Sequence, residues 1–284
     1  MKKLITNFYF ILFIGFPCFS QEFHIKTNLE ENVPYASVIF FRNDTIVGGT
    51  YSNELGIVRI NSNEDIDKIT ISHLGFKSKQ LKREELRPEI LLEENSFELP
   101  EIIVSKRNIE PILLGHKVKR KKTFISSRKG LELATLIYKN DIPDGYYLKN
   151  FQFRIKRKSE DRTVVLKLNL YANVNNFPGE IINANQDITI AVRPHEKGDI
   201  LVNLEKYNLL FPSEGAFLSL EWLGLIDEKG NFVETNSYYD SPIAFNREEN
   251  KSYTFIRNKL KKTNWGNFDL NGQLVVPAFS IEIN

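Results

Sequence analysis

Between Val33 and Phe76 the chain sets short β-branched and aromatic runs between tight-turn residues, and this spacing restricts the segment to a small β-sandwich. Tyr35-Ala36-Ser37-Val38-Ile39-Phe40-Phe41 is the first run, Asn43-Asp44 is a turn pair, and Thr45-Ile46-Val47 completes a hairpin. Gly48-Gly49 and Asn53-Glu54-Leu55-Gly56 offer backbone freedom for further reversals before Ile57-Val58-Arg59-Ile60. Lys68-Ile69-Thr70-Ile71-Ser72 then alternates polar and apolar residues, as a half-buried strand does. The expectation is a sandwich of at most about seven strands, too small to enclose a deep pocket.

The start of the chain carries an address. Lys2-Lys3 form a basic n-region, residues 4–16 an apolar stretch, and Cys18-Phe19-Ser20 places small residues before Gln21. Residues 1–20 therefore read as a signal peptide cleaved after Ser20. The apolar stretch is short of the ~20 residues that cross a bilayer, and Asn7 interrupts it. A lipid anchor on Cys18 is disfavoured by Pro17, which stands where a small residue is needed.

Loss of that segment alters the composition. Cys18 is the single cysteine, so the exported chain holds no thiol or disulfide and its stability must come from packing. Without Lys2 and Lys3 the 38 basic residues are reduced to parity with the 36 acidic ones. A neutral chain gives no argument for nucleic-acid binding. The aromatic content of 12% suits rigidly packed β-layers. No internal repeat stands out, and no later stretch is apolar enough for a membrane span.

The motifs of the first unit resemble the carboxypeptidase regulatory-like domain, a transthyretin-like β-sandwich common in exported proteins of Bacteroidetes-type bacteria. The residues that carry the likeness are Pro34, Ala36 and Val38 in an early strand, then Gly49-Thr50 and Gly56, then Ser72 with the Gly75-Phe76 corner. The early strand Phe23-His24-Ile25-Lys26 lacks the family's opening glycine. The resemblance implies an exported envelope protein, in the periplasm, at the outer membrane or on the cell surface. Leu99-Pro100-Glu101-Ile102-Ile103-Val104-Ser105 is similar to the leash found before the plug of TonB-dependent transporters, but too few residues follow it for a transporter barrel. A last strand of the first unit, or a strand added to a neighbour's edge, is the favoured alternative.

A basic run follows, Lys117-Val118-Lys119-Arg120-Lys121-Lys122, whose like charges favour an extended linker over a patch for anionic surfaces. Beyond it strand patterns resume. Val164, Leu166, Leu168 and Leu170 share one face, as do Phe151, Phe153 and Ile155. Further strands are expected at residues 188–192, 216–222, 252–256 and 277–283, with 131–139 an opening strand in spite of the helix propensity of Glu132-Leu133-Ala134. Residues 176–180, Asn-Phe-Pro-Gly-Glu, read as a turn. Two antiparallel sheets of jelly-roll type are the expected architecture. With a strand ending in Tyr171 before Pro178-Gly179, and an aromatic-Leu-x-Leu-Glu-Trp strand from Phe217 to Trp222, this part resembles the uncharacterised C-terminal β-sandwich that follows regulatory-like domains in the same bacteria. The chain is thus expected to be all-β: a transthyretin-like sandwich at 21–98, a linker with the basic run at 99–122, and a larger jelly-roll-type sandwich at 123–284.

No catalytic residue can be nominated. None of His24, His73, His116 or His195 has the His-x-x-Glu spacing of a zinc carboxypeptidase, and no Gly-x-Ser-x-Gly elbow, phosphate loop or cysteine nucleophile occurs. No metal or other cofactor is implied. Acidic pairs such as Glu30-Glu31 and Glu248-Glu249 read as solvated surface. The candidate site is aromatic: Tyr238, Tyr239, Trp265, Asn267 and Phe268 lie in loops that mix flat rings with amides, the mixture that stacks on sugar faces and hydrogen-bonds hydroxyls. The favoured alternative is that Trp265 and Phe268 fold back as lids over the sandwich end and that Tyr239 fills its rim. The functional expectation is an exported, non-catalytic binding or scaffold protein whose partner is a glycan or an outer-membrane or envelope protein. The alternative is a secreted hydrolase acting on glycan or peptide.

Overall fold

The computed structural model of this chain describes residues 21–60, 65–94, 110–117, 123–125, 128–140, 142, 145–156, 162–184, 186–233, 242–248, 253–270 and 273–284. The expected signal peptide and the 99–105 leash lie outside them. The protein is all-β: among the described residues, 23 strands are accompanied only by two single turns of 3-10 helix.

The small sandwich contains β1 (Gln21–Thr27), β2 (Ser37–Arg42), β3 (Thr45–Tyr51), β4 (Ile57–Ile60), β5 (Lys68–Ser72), β6 (Lys79–Lys82) and β7 (Glu89–Leu92). One sheet has the order β4-β1-β7 and the other β3-β2-β5-β6. Asn43 and Asp44 take φ of 47° and 59°, the left-handed pair that matches a two-residue hairpin turn to the strand twist. Phe23, Ile25, Val38, Phe40, Ile69, Ile71 and Leu92 fill the space between the sheets. Each such side chain contributes roughly 1.5–3 kcal/mol by leaving water.

The larger sandwich is built from β8 (Ile112–Gly115), β9 (Thr123–Ile125), β10 (Leu131–Ile137), β11 (Leu148–Ile155), β12 (Thr163–Val174), β13 (Phe177–Ile181), β14 (Ile188–Val192), β15 (Gly198–Asn203), β16 (Ala216–Ile226) and β17 (Phe232–Val233). It is completed by β18 (Ile243–Glu248), β19 (Thr254–Asn258), β20 (Gly266–Asn267), β21 (Asp269–Leu270), β22 (Gln273–Pro277) and β23 (Ser280–Ile283). The first sheet has the order β13-β12-β16-β10-β19-β20, with β14 also on β12 and β17 on β16. The second has the order β21-β22-β18-β11-β23-β8, with β15 on β11 and β9 on β18. The chain crosses repeatedly between the sheets, and the expected inward faces meet in one core that includes Phe151, Phe153, Leu166, Leu168, Trp222 and Phe279.

Three sequence expectations need correction. The stretch 99–122 is not linker throughout, because Ile112-Leu113-Leu114 forms β8 and pairs with β23, putting Leu114 into the core. Leu114 gains by leaving water for the core, while Leu113 on the other face stays 47% exposed. The turn placed at 176–180 is made instead by Asn175 and Asn176, at φ of 53° and 62°. Phe177 onward is strand β13, which pairs only with β12, so the missing N–H of Pro178 falls on a sheet edge. Gly48 and Gly49, expected to serve a reversal, lie inside β3.

Gly49 is needed for closeness. A Cβ there would stand 3.0 Å from Val38 O and 3.1 Å from Leu260 Cδ2, and Leu260 belongs to the larger sandwich. Gly49→Val is therefore expected to lower the stability of the whole chain by about 1–3 kcal/mol, the usual cost of overpacking. An unchanged urea midpoint in that variant would show that the two sandwiches are not tightly apposed at this point.

Candidate functional site

The small sandwich sits on the outer face of the larger one's first sheet. Tyr35 and Tyr51 share an apolar cluster with Val165, Leu223, Ile226 and Leu260, and both rings approach Phe232 at 6.3 Å between centroids. Polar contacts surround this cluster. Lys129 Nζ donates to Thr50 Oγ1 at 2.8 Å, and Arg59 Nη1 donates to Asn231 Oδ1 at 3.0 Å. His73 Nε2 meets Asp187 Oδ2 at 2.9 Å, and Lys167 Nζ meets Asp187 Oδ1 at 2.8 Å. Burial raises the Asp187 carboxyl, but Lys167 and His73 more than offset this and hold it far below the usual carboxylate range.

The middle of the same face carries charge. Strand register places Lys167, Glu221, Glu132 and Arg257 in one row across β12, β16, β10 and β19. Two carboxylates directly opposite each other repel, and both are buried, with Glu132 at 0% and Glu221 at 1% exposure. The surroundings neutralise them. Glu132 Oε1 accepts from Asn169 Nδ2 at 2.8 Å, Tyr171 OH at 2.8 Å and Ser219 Oγ at 2.7 Å, while Oε2 accepts from Arg257 Nε at 2.7 Å. Glu221 Oε1 accepts from Tyr51 OH, across from the small sandwich, at 2.6 Å. Its Oε2 accepts from Lys259 Nζ at 2.8 Å.

Burial would push the Glu132 carboxyl up, yet the cations Lys259 and Arg257 prevail and hold it below its ordinary value. Burial also lifts the Tyr51 and Tyr171 hydroxyls well above the phenol range, reinforced by the neighbouring glutamates. These phenols therefore remain donors to the carboxylates. The arrangement is two ion pairs, closed over by Tyr51, and not a pair of acids held apart across a cleft.

The third zone is aromatic. Tyr171 and Trp265 meet edge to face at 5.5 Å, and the Arg257 guanidinium lies 4.0 Å from the Trp265 ring centre. Phe255 packs against Phe177 at 5.0 Å and Phe217 at 5.6 Å. Asn267 stands opposite Phe255 in the β19–β20 ladder, hence on the same face, and is exposed. Phe177 is 45% exposed at the rim.

The structure thus brings Trp265 and Asn267 to one face beside residues that sequence reasoning did not nominate, namely Tyr171, Phe177 and Arg257. Phe268 donates its N–H to Thr254 O, and its half-buried ring packs against the sandwich core. Tyr238 and Tyr239 lie outside the described residues. The signal for the charged row was present as polar residues at period two within apolar strands, in Lys167-Leu168-Asn169 and Ser219-Leu220-Glu221. Among the described residues, no group of three or more His, Cys, Asp or Glu side chains could hold a metal ion. No helix there is long and apolar enough to cross a membrane.

No protein-family model and no curated protein matches this chain. Among solved structures it shows similarity to the cysteine protease and lectin-like domains of Cwp84, a surface layer associated protein of Clostridium difficile, at 10% identity and a TM-score of 0.35 over 88% of this chain. The chain spans 58% of that structure's length. A likeness at this level carries no argument about fold or activity.

Proposed function

We propose that this chain is an exported, non-catalytic recognition protein of the cell envelope, in which a regulatory-like sandwich braces a larger sandwich that binds glycan or an envelope partner. The observation that carries this reading is the aromatic end of the outer face, where Trp265, backed by the buried Tyr171 and a fixed Arg257 guanidinium, stands near the exposed Asn267. Flat rings next to oriented amide and guanidinium donors suit the apolar faces and hydroxyl edges of sugars. Glu132 and Glu221 are sealed from solvent and are not the pair that a hydrolase reading would use. Export and the envelope setting rest on the signal-like residues 1–20 and on the family resemblance of the first unit.

A binding screen of residues 21–284 against glycans and envelope components tests this reading. Trp265→Ala is expected to weaken the resulting interaction about 5- to 30-fold, in line with the loss of one aromatic contact of roughly 1–2 kcal/mol, while circular dichroism stays that of the parent. Asn267→Ala gives a second readout with less effect on packing. Absence of binding to every component would end the recognition proposal, and turnover of a polymer by the purified protein would replace it with the hydrolase reading.

A further inference from the structure

The opposite side of the larger sandwich holds a cavity of about 290 Å³ on the outer face of its second sheet, remote in topology from the aromatic zone. Its origin is a change of partner along β11. From Leu148 to Gln152 this strand pairs with β23, and at Ile155 it meets β18. Between the two ladders Phe153 and Arg154 have no strand partner on that side among the described residues. The chain that connects β22 to β23 passes there instead, with Phe279 turned into the core. The backbone gap becomes a pit whose floor is β11.

The walls are polar. Gln152 and Ser280 are cross-strand partners on the floor, and Arg154 is the partner of Asp199 on β15. Arg154 Nε donates to Asp199 Oδ1 at 2.6 Å and its Nη2 donates to Oδ2, a two-point pairing that fixes the guanidinium plane. His116 and Lys117, which follow β8, complete the lining. Gln152 and Ser280 can each donate and accept, as neighbouring hydroxyls require. Among the lining residues, Lys117 and Arg154 are two cations beside the one carboxylate of Asp199. Its volume stands at the lower end of ligand sites, about 300 Å³, the size of one sugar-sized ring.

We propose that this cavity binds a compact acidic polyol, a hexuronate by chemical class, with its carboxylate toward Lys117 and Arg154 and its hydroxyls on Gln152 and Ser280. The site is independent of the aromatic zone. Calorimetric titration of residues 21–284 at low salt with sodium glucuronate, and with glucose as the neutral counterpart, tests it. Saturable glucuronate binding is expected, with glucose at least 10-fold weaker and with at least a 10-fold loss in Arg154→Ala and Gln152→Ala. Should Arg154→Ala fail to fold, Lys117→Ala on the exposed rim reads the same loss. Equal affinity for the two sugars overturns the proposal, as does the lack of saturable glucuronate binding. Binding that survives in the Arg154, Gln152 and Lys117 variants but disappears in Trp265→Ala also overturns it, because the ligand then sits at the aromatic zone.

Discussion

Glu132→Ala is expected to lower the unfolding free energy by about 3–5 kcal/mol, the cost of removing one partner from a buried ion pair. Glu132 is fully buried and accepts from four side chains on three strands. Alanine would leave Arg257 facing Trp265 without its counter-ion, and would strand the Asn169 amide, the Ser219 hydroxyl and the Tyr171 phenol. Deleting an acceptor costs more than its own hydrogen bonds are worth, because the donors stay desolvated. Glu132→Gln should cost less, since an amide oxygen still accepts from these donors although it lacks the charge that Arg257 requires. Urea denaturation of the two variants measures the difference. A loss below about 1 kcal/mol for alanine would mean that the cluster is not coupled to folding.

Acid should destabilise the folded chain, in part by weakening the His73–Asp187 contact between the two sandwiches. In the folded chain Asp187 and Glu132 have carboxyl values held below their ordinary ones. On acidification the unfolded chain therefore takes up protons first, and stability rises with pH wherever the unfolded state binds more of them. Their contribution is present in full above the ordinary carboxylate values of about 3.9 and 4.3 and is lost as pH falls below that range. Each unit of depression corresponds to about 1.4 kcal/mol. Exposed pairs such as Lys26 with Glu89 add little, because solvent screens them. The expected result is a urea midpoint that drops steeply below about pH 4, with a shallower acid limb in Asp187→Asn. A midpoint independent of pH down to about 3, or an acid limb unchanged in Asp187→Asn, would refute the assignment.

Much of the fold was readable because strands announce themselves by period two. Val164, Leu166, Leu168 and Leu170 were expected on one face and are all fully buried. The same rule hid the union of the sandwiches. Val165, Lys167, Asn169 and Tyr171 occupy the other face of β12, and the mixture of polar groups there reads as a solvated surface, whereas all four are buried. Local pattern reports which face a residue shares and does not report what covers that face. For the same reason Trp265 could be singled out as a ring among amides, but its neighbours Arg257 and Tyr171 are far from it in sequence or on another strand, and only the register of β10, β12, β16 and β19 brings them together.

β12 and β16 are covered on one side by the core of the larger sandwich and on the other by the small sandwich, the charged row and the aromatic cluster. Their amide hydrogens should consequently be among the slowest in the protein to exchange with deuterated solvent, and at a rate that mutations in either sandwich accelerate together. Heat would then release the chain in one cooperative step, so that a protease finds no intermediate in which the small sandwich has come away and the larger one stands.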